Sequence, residues 1–285
     1  MTQLGLAGGE FLSAEQAELL VADEHTHVIV LAGTQGSGKT SLIASIYQQF
    51  HSGPFAGYEF VASRTLMGFE NRAHLMRTAS KSPTAGADRT SLLETNRFLH
   101  LRLSKQGRAR TLLLADWAGE TYRRVIESRE AAAELDVLKA CDHLAILIDG
   151  ERLIDLADRH KARVAANSLL RSCLDADVMK DDINVAIVFS KWDLVHKRSG
   201  NTKAAEYSRT VENEFSKLFG PRVGTLSFHR TAAVTVSQDS TIKDGHGLSE
   251  LLDYWMEQDL RIDHLTVPKV PEEPIEGSDA PEESS

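Results

Sequence analysis

The sequence has few cysteines and no long apolar segment. Its 285 residues include only two cysteines, Cys141 and Cys173, each in an apolar or helical context, so a disulfide framework is not expected. No run approaches the roughly 18 consecutive apolar residues that a membrane-spanning helix needs. The first ten residues also lack the basic start and apolar core of a secretion signal. These absences predict a cytoplasmic protein with no membrane partner.

The chain also lacks an excess of positive charge. It carries 41 acidic and 32 basic side chains, for a formal net charge of −9. Because nucleic-acid binding without sequence preference needs a positive surface that releases counterions, we expect no nucleic-acid partner. Part of the negative charge lies in residues 265–285, where six acidic side chains alternate with four prolines. That composition is typical of a disordered tail.

Apolar strand-like segments alternate with helical segments along most of the chain. Continuously apolar strands are typical of a sheet covered on both faces, so the pattern predicts a three-layer, doubly wound α/β domain with a mainly parallel sheet. We assign residues 26–264 to this domain and residues 1–25 to a lead-in with a short helix. Residues 53–95, between the first helix and the second core strand, are too long for a normal connection and form a predicted insertion. Expected strands cover 27–32, 58–63, 98–103, 111–116, 143–149, 184–189 and 226–236, and expected helices cover 13–21, 40–50, 66–79, 120–140, 153–179, 203–219 and 247–259.

A glycine-rich octapeptide stands between the first apolar strand and the first long helix. It reads Gly33-Thr34-Gln35-Gly36-Ser37-Gly38-Lys39-Thr40, the pattern of a phosphate-binding P-loop. Its glycines let backbone N–H groups approach phosphate oxygens that side chains would obstruct, and the positive end of the following helix would point at the anion. Lys39 would reach the outer phosphates, and the Thr40 hydroxyl would bind Mg²⁺. The candidate nucleotide-binding residues here are Gly33, Gln35, Gly36, Ser37, Gly38, Lys39, Thr40 and Ser41.

Two further strand ends carry polar segments. After the third apolar strand, Asp116 is placed to hold Mg²⁺ through water, and Gly119 can give its N–H to a γ-phosphate. After the fifth, in Ser190-Lys191-Trp192-Asp193, a carboxylate at Asp193 can accept hydrogen bonds from the N1 and N2 protons of guanine, which adenine does not supply in that arrangement. This favours GTP over ATP; a polar strand end that caps the next helix is the alternative interpretation. We assign Asp149, which ends the fourth strand, to a turn or cap.

In this order and on these strands, the three motifs resemble those of P-loop GTPases of the Ras and translation-factor-related class, over roughly residues 28–259. More narrowly, Thr65-Leu66-Met67-Gly68-Phe69-Glu70 with Arg72, followed by Asp116 to Glu120, is similar to the bacterial double-GTPase families of multi-protein conflict or defence systems. The resemblance implies a P-loop NTPase fold of the Ras-like G-domain type. It also implies GTP or GDP and Mg²⁺ as cofactors.

The resemblance further implies roles for individual residues. A switch I threonine should close over Mg²⁺ and the γ-phosphate; Thr90 is our assignment, with Thr84 and Thr65 as alternatives. The implied residues are Lys39, Gly119, Glu120 and Thr90 for catalysis, Thr40, Asp116 and Thr90 for the metal, Ser190, Lys191 and Asp193 for the base, and Thr231, Ala232 and Ala233 for a weak motif that touches the guanine oxygen.

The sequence departs from the class at two of these positions. Ser190 stands where Asn or Thr usually steadies the P-loop, and Glu120 stands where Ras-like enzymes carry a Gln that orients the attacking water, so slow hydrolysis is expected. The leading hypothesis is a GTP-binding switch whose partner is a protein effector or regulator at the switch regions, or a second GTPase subunit. The alternatives are a nucleotide-stabilised adaptor with little turnover and a P-loop kinase. In the kinase, the lid would be formed by Arg72, Arg77 and Arg89.

Overall fold

The computed structural model describes residues 9–23, 25–79, 97–116, 119–196, 202–235 and 241–256. Several positions singled out in the sequence lie outside these ranges. They are Thr84, Arg89, Thr90, Trp117, Ala118 and the acidic segment 265–285.

Within the described residues, seven strands form one mixed sheet in the order β2-β3-β4-β1-β5-β6-β7. Neighbouring strands from β4 through β1 and β5 to β7 pair in parallel, whereas β2 pairs antiparallel with β3, and β3 antiparallel with β4. The mainly parallel α/β fold of the P-loop NTPase type is therefore confirmed. The strands are β1 (Thr26–Ala32), β2 (Glu59–Ala62), β3 (Phe98–Lys105), β4 (Arg108–Asp116), β5 (His143–Asp149), β6 (Asn184–Ser190) and β7 (Thr225–Arg230).

Helices cover both faces of this sheet. One buried cluster contains apolar side chains of α1 and α4 to α10, and the other contains those of α2, α3 and α11, so the domain has three layers. No helix among the described residues is long and apolar enough to cross a membrane. The helices are α1 (Ala14–Asp23), α2 (Lys39–Gln49), α3 (Leu66–Ala79), α4 (Gly119–Glu127), α5 (Arg129–Ala133), α6 (Val137–Ala140), α7 (Gly150–Ile154), α8 (Arg159–Asp175), α9 (Trp192–Val195), α10 (Thr202–Phe219) and α11 (Leu248–Met256).

Two expected long helices are broken, and one expected strand is shorter. The segment 120–140 forms three helices because the Ser128 hydroxyl accepts the Ala131 amide at 3.3 Å and starts α5. The segment 153–179 is interrupted at Asp155, whose backbone is extended (ψ 121°) and whose carboxylate accepts the Ala157 amide. The last strand ends at Arg230 rather than near residue 236.

The insertion adds one strand and one helix to the sheet's edge. β2 pairs with β3, and α3 packs on α2, where the rings of Tyr47 and Phe69 stack with centroids 4.8 Å apart. The chain before α1 crosses α3 so closely that a Cβ added at Gly68 would lie 2.0 Å from the carbonyl oxygen of Glu10. The predicted elements at 58–63 and 66–79 are confirmed as β2 and α3.

A buried histidine on β5 and a half-buried histidine on β7 pack against the same tyrosine. His143, at the start of β5, is 1% exposed, and its ring and that of His229 on β7 both pack against Tyr254 of α11, at 5.4 and 5.3 Å between centroids. Burial lowers the pKa of His143 to about 3, with the neighbouring His27 as a smaller cause. Burial likewise lowers the pKa of His229 to about 4. Both rings are therefore neutral in the folded protein near neutral pH.

We expect the protein to lose stability between about pH 6.5 and pH 4. Because the folded-state pKa values lie below the ordinary 6.5, the unfolded chain takes up protons first as the pH falls, and each histidine costs about 2 kcal/mol of unfolding free energy by pH 5. Urea unfolding at pH 7.5 and pH 5 should show a loss about 2 kcal/mol smaller in His143→Leu than in wild type. In the control His196→Gln, which alters an exposed histidine, the loss should equal that of wild type; an equal loss in His143→Leu would contradict the prediction.

Candidate functional site

The octapeptide forms a tight loop between β1 and α2. Gly36 and Gly38 adopt left-handed backbone conformations (φ +80° and +87°), and Gly38 is the residue that precedes the first turn of α2. A Cβ added at Gly33 would lie 2.7 Å from Ser37 Oγ and 3.0 Å from the carbonyl oxygen of Leu147. The Ser37 amide closes the turn by donating to the carbonyl of Thr34 at 3.2 Å. Only glycine fits this backbone, which ends at a helix N-terminus suited to an anion.

The Lys39 side chain folds back over this loop. Its Nζ donates to the carbonyl oxygens of Gly33 and Thr34, at 2.8 and 3.3 Å, and lies 5.9 Å from the ring centroid of Tyr122 in α4. Lys39 is 7% exposed, and Tyr122 is fully buried. The loop carbonyls and the aromatic face therefore hold one buried positive charge against the glycine-rich backbone. The Tyr122 position is explained by local packing.

The candidate metal residues lie on neighbouring strands and on the first turn of α2. Asp116 ends β4, where its backbone pairs with Leu31 of β1, two residues before Gly33. Thr40 is the second residue of α2. The side chains of Asp116 and Glu120 lie outside the described part of the structure. Within that part, no group of three or more His, Cys, Asp or Glu side chains could hold a metal ion alone.

The candidate base-specificity segment, Ser190 to Asp193, packs directly against the loop that precedes α2. Ser190 ends β6, and a Cβ added at Gly38 would lie 3.7 Å from Ser190 Cβ. The Ser190 hydroxyl donates to the carbonyl of Ile148 at 3.3 Å, so in this structure its hydrogen bond goes to β5. Lys191 has a left-handed backbone (φ +49°), and Asp193, in α9, is fully buried. Segments predicted from distant parts of the sequence are thus adjacent.

The third candidate segment, Thr231 to Ala233, is joined by one backbone hydrogen bond to β6 and by a second to the base-specificity segment. The Thr231 amide donates to the Phe189 carbonyl and the Trp192 amide donates to the Thr231 carbonyl, both at 2.9 Å. The next amide, that of Ala232, donates to the carbonyl of His246 at 3.0 Å. One of the amides expected near the guanine oxygen is therefore engaged within the protein.

Helix α2 contacts this third segment through Ser45. Ser45 Oγ donates to the Ala233 carbonyl at 3.0 Å and lies 3.5 Å from the sulfur of Met76 in α3. The helix that begins at the phosphate loop therefore contacts both the insertion and the segment 231–233.

Two carboxylates hold Lys191, and local sequence pattern does not predict either contact. Its Nζ donates to Asp149 Oδ2 at 3.0 Å and to Glu151 Oε2 at 2.8 Å. Burial alone would lower the pKa of Lys191, but hydrogen bonds and charge from Glu151 and Asp149 outweigh it and raise the pKa above its ordinary value. The prediction that Asp149 is a cap is confirmed, since its Oδ1 accepts the Glu151 amide at the start of α7. Its bond to Lys191 is a second role that local sequence does not reveal.

An open pocket of about 770 Å³ lies beside these residues. It is bounded by the phosphate loop on one side and by α7 and Lys191 on the other. Its lining residues are Gln35, Gly36, Asp149, Glu151, Arg152, Ile154, Asp155, Asp158, Lys191 and Leu194.

The other residues considered for the site make structural contacts or surface ion pairs. Arg72, considered for a kinase lid, is 6% exposed, donates to the Gly68 carbonyl and stacks 4.7 Å from the Phe11 ring centroid. Thr65, an alternative switch I threonine, is fully buried and its hydroxyl accepts the His100 amide at 2.9 Å. Both residues therefore join α3 to its neighbours. Arg124 is exposed and forms a 3.5 Å ion pair with Glu134.

The chain matches a known family model over most of its length. A family model described as Double-GTPase 2 matches residues 27–256, from the start of β1 to the end of α11. The matched range contains the phosphate loop, Asp116, the base-specificity segment and the segment 231–233. No curated protein matches the chain.

A methyl group at Gly38 should abolish tight nucleotide binding. Alanine is strained by about 1–2 kcal/mol at a left-handed position, and at Gly38 the relaxing backbone would distort the phosphate loop. Gly107→Ala in the β3–β4 turn is the matched control, because Gly107 has φ +77° and no atom within 4 Å of an added Cβ. Thermal unfolding should show similar losses for both variants, whereas titration with fluorescent GDP should show at least tenfold weaker binding for Gly38→Ala alone. Equal GDP affinity in the two variants would contradict the prediction.

Proposed function

The chain belongs to the Double-GTPase 2 family, and from that premise we propose that it is a guanine-nucleotide-binding molecular switch. It binds GTP with Mg²⁺, hydrolyses GTP slowly to GDP and signals to a protein partner. The observation that carries the proposal is the contact between the phosphate loop at Gly38 and the base-specificity segment at Ser190. One nucleotide can therefore engage both segments with its two ends.

Base recognition in this proposal depends on the buried carboxylate of Asp193. Hydrogen bonds to a charged group contribute about 1.5–3 kcal/mol each, and more is lost when a buried charge loses its partners. A carboxylate that accepts from N1 and N2 of guanine discriminates against adenine, which offers a bare acceptor at N1 and no amino group at C2. The backbone link through Thr231 fixes this segment relative to the segment 231–233.

Phosphate binding would use the glycine-rich backbone and Lys39. Its Nζ would exchange the carbonyl oxygens of Gly33 and Thr34 for β- and γ-phosphate oxygens, which carry full negative charge. Thr40 and Asp116 would hold Mg²⁺, which when bound supplies positive charge to the phosphate oxygens. Hydrolysis then needs only a water molecule in line with the γ-phosphate and charge stabilisation, without a covalent intermediate.

In this proposal, α4 transmits the state of the nucleotide to a partner. Gly119 begins this helix, and Tyr122, one turn later, contacts Lys39. A change at the γ-phosphate would shift the Lys39 ammonium and the amide of Gly119, and α4 would move with them. Its exposed arginines, Arg123 and Arg124, would then be presented differently to a protein effector or regulator.

The base assignment is tested by a change of nucleotide preference. In Asp193→Asn, GDP affinity should fall by about 100-fold or more, because an amide repels one of the two guanine donors with its own N–H group. Xanthine carries a carbonyl in place of the guanine amino group, so the variant should bind xanthosine diphosphate more tightly than wild type does. Asp177→Asn, at an exposed turn after α8, should behave as wild type in the same titrations. ADP bound as tightly as GDP by wild type, with no effect of Asp193→Asn, would overturn the GTPase proposal and favour an ATPase or kinase.

Slow turnover is tested by single-turnover hydrolysis of radiolabelled GTP without a partner. We expect a rate on the order of 10⁻³ s⁻¹ or below, as for small GTPases without their activator. Glu120→Gln should raise the rate, because an amide can orient water without placing negative charge near the γ-phosphate. Glu127→Gln, in the same helix, is the matched control and should not change it. Tight GTP binding with no hydrolysis in wild type or Glu120→Gln would favour the adaptor instead.

A further inference from the structure

We propose that Asp149 is a positioning residue for nucleotide binding, which acts by anchoring the side chain of Lys191 at the wall of the base site. The inference rests on the proposed function, since it concerns how firmly the same guanine nucleotide is held. Asp149 itself contacts Lys191 and is assigned no contact with the nucleotide.

The sheet register brings the two residues together. Asp149 and Ser190 are paired in the parallel ladder between β5 and β6, so Lys191 is the next residue along from the partner of Asp149. Asp149 is 5% exposed and its Oδ2 lies 3.0 Å from Lys191 Nζ, whereas Glu151 is 64% exposed and lies 2.8 Å away. The buried carboxylate is therefore the better shielded of the two anchors.

The anchor is itself rigid. Asp149 Oδ1 accepts the Glu151 amide at 3.0 Å, which fixes the carboxylate plane while Oδ2 faces the lysine. Between these residues, a Cβ added at Gly150 would lie 2.3 Å from the Ser190 carbonyl oxygen and 3.1 Å from that of Lys191. The turn formed by Asp149, Gly150 and Glu151 thus rests directly on the backbone of the base-specificity segment.

The contact with Asp149 reduces two free-energy costs of ordering Lys191 for nucleotide binding. A free lysine side chain loses rotamer entropy when it is ordered, and a left-handed backbone is strained for a residue with a Cβ. The ion pair with Asp149 orders the Lys191 side chain and its backbone before a nucleotide binds. The aliphatic stem then offers a fixed apolar surface to the base, and the ammonium stays beside Gln35 and Gly36 in the pocket they share.

The test is a double-mutant cycle on the rate of fluorescent GDP dissociation from the full chain with Mg²⁺. Asp149→Asn keeps an oxygen for the Glu151 amide but removes the charge that holds Lys191. We expect GDP to dissociate about tenfold faster from Asp149→Asn and at least tenfold faster from Lys191→Ala, which also removes the apolar stem. The double variant should match Lys191→Ala, because Asp149 acts only through Lys191. Asp136→Asn, which removes a surface aspartate bonded to Lys139 at 2.7 Å, is the control and should leave the rate unchanged.

The outcomes separate this inference from the proposed function. Failure of wild type to bind GDP would remove the proposed function and the inference together. Wild-type binding with unchanged dissociation from Asp149→Asn, or additive effects in the double variant, would overturn the inference alone. If Asp149→Asn does not fold, as judged by its thermal unfolding, the exposed anchor supplies the test: Glu151→Gln should speed dissociation about threefold, and no change there would also overturn the inference.

Discussion

The parallel register of β1, β5 and β6 is the constraint on which the site depends. These strands are buried on both faces, so their backbone N–H and C=O groups depend on the ladders to neighbouring strands for hydrogen bonds. Ala32 pairs with Ile146, and Asp149 pairs with Ser190, which brings the carboxyl ends of all three strands to one edge. A slip of one residue would send apolar side chains to the wrong face. Core burial therefore fixes where the loops meet.

The site also requires that backbone segments approach one another closely, and glycine permits this approach. Gly33 lies against Leu147 of β5, and Gly150 lies against the Ser190 carbonyl. Each contact joins the end of one strand to the loop after another. Because backbone atoms cannot rotate away as side chains do, these contacts transmit small displacements from one segment to the next.

The features that the sequence predicts well are those encoded within a few residues. The P-loop pattern and the helix at 66–79 are of this kind. Helix ends are harder, because the side-chain hydrogen bonds of Ser128 and Asp155 compete with the helical ladder. The single helices expected at 120–140 and 153–179 are therefore wrong, although their apolar pattern is present.

Site residues that depend on strand order could not be predicted from local pattern. Asp149 precedes Lys191 by about forty residues, and its contact exists only because β5 and β6 are neighbours. The contact between Tyr122 and Lys39 likewise depends on tertiary structure, because it forms only when α4 packs on the core. The parallel α/β pattern alone does not give the strand order. The antiparallel edge formed by β2, β3 and β4 must also be known, and β2 comes from the insertion.

Helix α2 gives the proposed switch a mechanical basis. It begins at Lys39, and Tyr47 on its face donates a 3.0 Å hydrogen bond to Glu70 of α3. Burial, followed by the Glu70 hydrogen bond and charge, raises the pKa of Tyr47 to about 12, so this hydroxyl stays a donor across the physiological range. With Ser45 on the Ala233 carbonyl, one rigid helix links the phosphate loop, the insertion and the segment 231–233. In the proposed switch, displacement of the loop by a phosphate would move α2 relative to these contacts or strain them. Either response would carry the state of the nucleotide to the edge of the sheet where the insertion lies.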